Sequence, residues 1–219
     1  MNRFFCDAII FDLDGVLVDS TACIERHWRR WAIKRGIDVD EILRVSHGMR
    51  TVDTVRLFAP DIDFVSEAAA LEEQESLDTQ GVEAIEGAVA MTEALPEGAW
   101  AVATSGTRSM AAGRIAHTGL AQPSVLVMAD DVSQGKPDPE VFLLAGRRLG
   151  VEPQRCIVIE DAPAGVAGAH AAGMRVIAIA STHLPAKLSE AEAIATRLTD
   201  IRIERVDSAA GKLVIELTA

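Results

Sequence analysis

The stretch Phe5-Cys6-Asp7-Ala8-Ile9-Ile10-Phe11-Asp12-Leu13-Asp14-Gly15-Val16-Leu17-Val18-Asp19-Ser20 decides how this chain of 219 residues is read. Phe5 to Phe11 is a short apolar run that predicts a buried strand. It leads directly into two carboxylates, Asp12 and Asp14, two residues apart. Strand side chains alternate, so Asp12 and Asp14 face one side while Leu13 points to the other. Gly15 then permits a sharp turn. Two carboxylates this close repel and need a proton or a cation between them. A hard divalent ion such as Mg²⁺ suits oxygen ligands of this kind. Alone, an Asp-x-Asp pair reads equally as a charged strand end with a turn.

Further short apolar runs recur at Trp100–Ala103, Val125–Met128, Cys156–Ile159 and Arg175–Ala180. Helical stretches with readable ends lie between them. Thr107–Thr118 stops at Gly119. Pro139–Leu149 starts after Asp138 as N-cap and stops at Gly150, and Pro163–Ala172 stops at Gly173. Apolar strands separated by helices predict an α/β fold, a parallel sheet covered on both faces.

From Val16 to Gly87 no strand pattern is evident. Ser20–Arg35 reads as a helix with Ile24, Trp28 and Trp31 on one face, and the two tryptophans are expected to be core. Further helical pieces cover Asp40–Val45, Thr51–Phe58 and Val65–Asp78. The expected organisation is a core of residues 1–15 and 87–219 with a helical cap, residues 16–86, inserted after the first strand. Such a cap would lie over the C-terminal ends of the strands, where open α/β sheets bind ligands. Ile201–Val206 and Lys212–Leu217 alternate apolar and charged residues around a turn at Asp207–Gly211, which predicts a β-hairpin at a sheet edge.

Composition narrows the functional classes. The net charge of −12 argues against nucleic acid and against anionic membranes as partners. The longest apolar runs fall far short of the ~20 residues that span a bilayer, and the N-terminus has no leader pattern, so a cytoplasmic location is expected. Three scattered cysteines, Cys6, Cys23 and Cys156, are read as buried reduced thiols.

Three more segments carry chemistry. Ala103-Thr104-Ser105-Gly106 places hydroxyls and backbone N–H groups between a strand and a helix N-terminus, a cradle for phosphate. Gly135-Lys136-Pro137-Asp138-Pro139 holds a lysine on a stiff proline-containing segment just before a helix. Ile159-Glu160-Asp161-Ala162-Pro163 ends another buried strand in two acids. Each has a bland alternative: turn chemistry, a surface lysine, or helix N-terminal acids.

In this order, the four segments resemble the haloacid dehalogenase superfamily over nearly the whole chain. Together with Ser46-His47-Gly48-Met49-Arg50-Thr51, they look like the bacterial and fungal phosphatases of sugar and polyol phosphates. The resemblance implies a doubly wound parallel sheet with a Rossmann-like core and Mg²⁺ as cofactor. Asp12 would be the nucleophile. Asp14 would be the acid and base and would also ligate the metal through its backbone carbonyl. Asp161 would bind the metal directly, and Glu160 directly or through water. Thr104 and the Ser105 amide would hold the phosphoryl oxygens, and Lys136 would offset the charge of Asp12 and the phosphate. His47 and Arg50 are expected to face the substrate, a small phosphorylated metabolite, and the chain is expected to act as a monomer.

The competing readings separate on single residues. A dehalogenase would not need Asp14, Glu160 and Asp161. A phosphonate hydrolase would need an early cap lysine, and none lies between Gly15 and Lys34. A non-catalytic sugar-phosphate sensor would be expected to lose Asp12 or Asp14. A β-phosphoglucomutase-like enzyme would carry a histidine where Ile24 stands, with His27 three residues further on.

Overall fold

In the computed structural model, which describes residues 2–208 and 211–218, the N-terminal apolar run is divided. Arg3–Cys6 forms β1 and Ala8–Phe11 forms β2, and the two belong to different sheets. Asp7 makes the break. Its N–H donates to the Arg155 carbonyl at 2.8 Å, and its carboxylate accepts from the Arg155 guanidinium and the Lys212 N–H. These partners turn Asp7 out of the line of a continuous strand.

The chain continues through β3 (Val18–Asp19), α1 (Thr21–Arg35), α2 (Val39–Ser46), α3 (Thr51–Phe58), α4 (Phe64–Ser76), β4 (Glu83–Ala84) and α5 (Ala88–Ala94). It then alternates through β5 (Trp100–Ala103), α6 (Arg108–Thr118), β6 (Val125–Val127), α7 (Glu140–Leu149), β7 (Cys156–Glu160), α8 (Pro163–Ala171) and β8 (Arg175–Ile179). β9 (Ala193–Ala195), β10 (Ile201–Ser208) and β11 (Gly211–Leu217) close the fold. The main sheet is parallel with order β6-β5-β2-β7-β8-β9. This is the doubly wound α/β fold. Its sixth strand, Ala-Ile-Ala, is too short for a readable pattern.

Strand alternation sorts the core. Ile9, Phe11, Val102, Ile157 and Ile159 pack on one face with Leu13, Ala111 and Ile115. Ala8, Ile10, Ala101 and Val158 pack on the other with Val141, Phe142 and Val166. Full burial of a side chain the size of Ile or Phe contributes roughly 1.5–3 kcal/mol, so the central strand is firmly held. Phe11 pairs with Val102 of β5 and with Ile159 of β7. The ends of β5 and β7 therefore flank the end of β2, and the residues after each emerge together.

Helices α1 to α4 have an apolar core of their own, built on Trp28, Trp31, Ala32, Ile42, Val55 and Ala68. The tryptophan rings meet edge to face at 5.5 Å. The segments joining these helices to the sheet do contain strands: β3 and β4 pair antiparallel, Val18 opposite Ala84. Two-residue strands leave no periodicity to read. The C-terminal hairpin forms, but it builds a separate antiparallel sheet, β1-β11-β10, instead of extending the parallel one. The Ala209–Ala210 part of its expected turn lies outside the described residues. The three cysteines are free and buried. Among the described residues no helix is long and apolar enough to cross a membrane.

Candidate active site

Asp12 follows β2 directly and is buried. Lys136 arrives from the segment before α7, with its ammonium 2.9 Å from Asp12 Oδ1 and 2.6 Å from Glu160 Oε1. The same ammonium lies 5.1 Å from the centre of the Phe142 ring. Burial disfavours the charge on Lys136, but Asp12 and Glu160 hold its pKa above the ordinary lysine value. The bracing expected from the flanking prolines thus delivers a wholly buried ammonium between two acids.

Glu160 has both oxygens engaged. Oε1 accepts from Lys136, and Oε2 accepts from the N–H groups of Asp161 and Ala162 at 2.7 and 2.8 Å. Gly165 makes this possible, since a Cβ there would overlap the Glu160 carboxylate. Asp161 accepts from the Thr182 hydroxyl. Gly15, at φ +82°, serves twice: it takes a left-handed conformation and leaves the space where a Cβ would overlap the Asp161 carboxylate.

The donor set fits a hard cation. Asp12, Glu160 and Asp161 bring one carboxylate oxygen each to within 4.8 Å of one another. Asp161 Oδ1 is buried without a hydrogen-bond partner, and Asp12 Oδ1 is buried with only the Lys136 ammonium against it. Burial first, then the neighbouring Glu160, pushes the Asp12 pKa up to about 7 against the pull of Lys136. Asp161 is raised well above its ordinary value by burial, Glu160 and Asp12. The cleft and its floor hold five carboxylates, Asp12, Asp14, Glu75, Glu160 and Asp161, against two cations, Lys136 and Arg114. A site with this excess of acids takes a phosphate dianion only with added positive charge.

Asp14 lies in the same cleft but outside the acidic triplet. Its Oδ1 accepts from the Ser20 hydroxyl at 2.6 Å and its Oδ2 from Arg114 Nη1 at 2.6 Å. Thr104 also lines the cleft, its hydroxyl oxygen accepting from the Gly106 N–H at 3.0 Å. Ser105 donates its hydroxyl to the Gly48 carbonyl at 2.7 Å, which ties the strand-end loop to the loop after α2. That hydrogen bond occupies the Ser105 hydroxyl.

His47 faces the cleft and touches His183 edge to face at 6.1 Å. Burial, then the neighbouring His183, lowers its pKa below 6.5, so near neutral pH it is an uncharged donor or acceptor. Arg50, expected to face the substrate, lies outside the cleft lining. Its guanidinium donates to Asp53 at 2.7 and 3.2 Å and to the Ser133 carbonyl at 3.2 Å, over Gly135. It therefore grips the segment that leads to Lys136. Trp28 is both core and cleft wall, and Ile24 lines the cleft beside it. His27 turns away to Asp78, at 3.0 Å.

Sequence reasoning did not find Arg114, Glu75, Ser20 or Thr182. The signal for Arg114 was an arginine flanked on its helix by the buried Met110, Ala111 and Ile115. His183, without a nameable partner in the sequence, lies 3.2 Å from the Asp161 carbonyl through Nδ1.

Comparison with known proteins gives the family of the chain. Residues 6–173 match the family model described as haloacid dehalogenase-like hydrolase. Hexitol phosphatase A of Escherichia coli is 38% identical over 205 residues, which cover 91% of this chain and 95% of that protein. Glycerol-1-phosphate phosphohydrolase 2 of Saccharomyces cerevisiae is 39% identical over 190 residues, covering 80% and 75%. The crystal structure of β-phosphoglucomutase from Clostridium difficile superposes with a TM-score of 0.77 at 22% identity, covering 90% and 93%, a likeness of fold. By the family match and the extent of these identities, the chain belongs to the haloacid dehalogenase-like hydrolases, as a phosphoric monoester hydrolase.

Proposed function

We propose that this enzyme hydrolyses phosphate monoesters of small sugars or polyols, with Mg²⁺, through an aspartyl-phosphate on Asp12. The observation that carries this reading is the buried group of Asp12, Lys136, Glu160 and Asp161, with an unpartnered oxygen on Asp161, beneath a cleft that also holds Asp14 and Thr104. In the first half-reaction an Asp12 oxygen bonds to phosphorus, the bond from phosphorus to the alcohol oxygen breaks, and Asp14 gives that oxygen a proton. In the second, a water oxygen bonds to phosphorus, Asp14 takes the water's proton, and the Asp12–phosphorus bond breaks to release inorganic phosphate. Lys136 holds Asp12 oriented and partly neutralised, and Glu160 holds Lys136. Thr104 and the Ser105 amide, at the start of α6, hold the phosphoryl oxygens. Asp12, Asp161 and the Asp14 backbone carbonyl would hold Mg²⁺, which would supply positive charge to the phosphoryl group.

The leaving group faces Ser46, His47 and Thr51, with Ile24 and Trp28 as apolar wall. Hydroxyl-rich leaving groups suit this lining, as the hexitol and glycerol phosphates in the relatives' names do. Residues 16–86 act as the cap, which opens on the core of residues 1–15 and 87–219 to admit substrate. Hydrolysis is favoured over phosphoglucomutase-like transfer because Ile24, an apolar residue, occupies the cleft while His27 is committed to Asp78.

A panel of hexitol, glycerol and hexose phosphates should release inorganic phosphate with Mg²⁺ and stop on addition of EDTA. Activity indifferent to EDTA would exclude the metal, and no release from any ester would exclude the phosphatase reading. Phosphorus NMR of a hexose 1-phosphate with a trace of hexose 1,6-bisphosphate should show accumulating phosphate. Accumulating hexose 6-phosphate would mark a mutase.

A further inference from the structure

Arg114 is buried in the middle of α6, yet its guanidinium divides itself between two acids from different parts of the fold. Nη1 donates to Asp14 Oδ2, beyond the end of β2, and Nη2 donates to Glu75, near the end of α4. All three side chains line the cleft. Burying an arginine is expensive without well-placed acceptors, and a planar fork with two faces of donors meets both at once. On the other side of Asp14, Ser20 stands at the N-cap of α1 but makes no cap bond with its side chain; the hydroxyl donates to Asp14 Oδ1 instead. Giving up a cap costs helix stability, which marks the Asp14 contact as the one the local sequence serves.

We propose that Arg114 is the positioning residue for the acid/base Asp14, and that Glu75, by sharing the same guanidinium, makes that positioning depend on the seating of α4. This rests on the phosphatase reading above. Arginine has no acceptor, so Asp14 Oδ2 cannot carry a transferable proton while Arg114 is paired with it. The proton in transit therefore rides on Oδ1, where the Ser20 hydroxyl can reverse from donor to acceptor. As the phosphorus–oxygen bond to the alcohol breaks, Oδ1 gives its proton to the departing oxygen, and the resulting carboxylate takes one back from the attacking water. With α4 displaced, Arg114 loses Glu75 and its second anchor, and Asp14 loses a fixed orientation.

Leaving-group dependence separates this role from a purely structural ion pair. kcat/KM covers the steps through formation of the phospho-enzyme. An alcohol leaving group needs the Asp14 proton there, and 4-nitrophenolate does not. The variants are Arg114→Met paired with Glu75→Met, which removes both charges together, and Arg114→Lys, which keeps one charge but cannot fork. Circular dichroism checks that each is folded, and Arg114→Lys carries the test if the paired variant is not.

For glycerol 1-phosphate, kcat/KM should fall about 100-fold or more in the paired variant, within the ~10²–10⁴ range of acid–base assistance, and about tenfold in Arg114→Lys, which keeps part of that assistance. For 4-nitrophenyl phosphate it should change less than about threefold in both, against that same range. Parallel losses on the two esters, or no loss on either, would overturn the assignment of Arg114 while leaving the phosphatase reading intact. A wild-type enzyme that releases phosphate from neither ester would overturn both.

Discussion

Asp12→Asn should lower kcat/KM for phosphate-ester hydrolysis by more than about 10⁴-fold, beyond what loss of acid–base assistance alone removes, and at the same time should stabilise the metal-free fold. The activity loss follows from chemistry: an amide oxygen is a poor nucleophile. The stability gain follows from the site. Asp12 is buried beside Glu160, and its pKa is raised from 3.8 to about 7. A carboxyl whose pKa is higher folded than unfolded favours the fold in its protonated form. Its contribution is full below the unfolded value and is lost as pH rises from about 4 through about 7. Above that window the wild type carries an ionised, incompletely paired carboxylate, and Asp12→Asn does not. Urea unfolding at pH 8 in EDTA should show the variant at least as stable as wild type, and Mg²⁺ should reverse the order. A variant with substantial residual activity, or less stable in EDTA at pH 8, would contradict this.

Lys136→Met should abolish activity and destabilise the protein, the opposite stability sign for a neighbour 2.9 Å away. The substitution is close in volume and keeps contact with Phe142, but it leaves Asp12, Glu160 and Asp161 buried without their ammonium. Breaking a buried ion pair by removing one partner costs roughly 3–5 kcal/mol, because the remaining charge is unpaired. The double variant Asp12→Asn with Lys136→Met should recover part of that loss, since one of the stranded carboxylates is gone. Mg²⁺ should also stabilise Lys136→Met more than it stabilises wild type. Equal stability of Lys136→Met and wild type in EDTA would show that the lysine is not what balances these acids.

Much of this site was legible in the sequence because its residues lie at the ends of short apolar strands. Asp12, Thr104 and Glu160-Asp161 each follow such a run, and parallel pairing of β2 with β5 and β7 brings the three strand ends side by side. Lys136 was legible from its prolines. What was not legible depends on partners distant in the chain. Arg114 is one hundred residues from Asp14 and 39 from Glu75, and its apolar helix neighbours name neither partner. Arg50 was expected to face the substrate, and the partners that hold its guanidinium here, Asp53 one turn later and the Ser133 carbonyl, include one 83 residues away. In the fold, the run Phe5–Phe11 read as one strand although Asp7 splits it, since the Arg155 that turns Asp7 aside is 148 residues away. The C-terminal hairpin was visible from its alternation, but its partner β1 was hidden inside that same run.

The central claim is a covalent phosphoryl group on Asp12, and trapping it is the direct measurement. The enzyme is mixed with a hexitol phosphate and Mg²⁺, quenched in acid within a single turnover, and digested for mass spectrometry. A phosphoryl mass increment should appear on the peptide carrying Asp12, decay as inorganic phosphate appears, and be absent from Asp12→Asn and from samples in EDTA. Stoichiometric phosphate release with no phosphorylated peptide at any quench time, or with the phosphoryl group on another residue, would contradict the account.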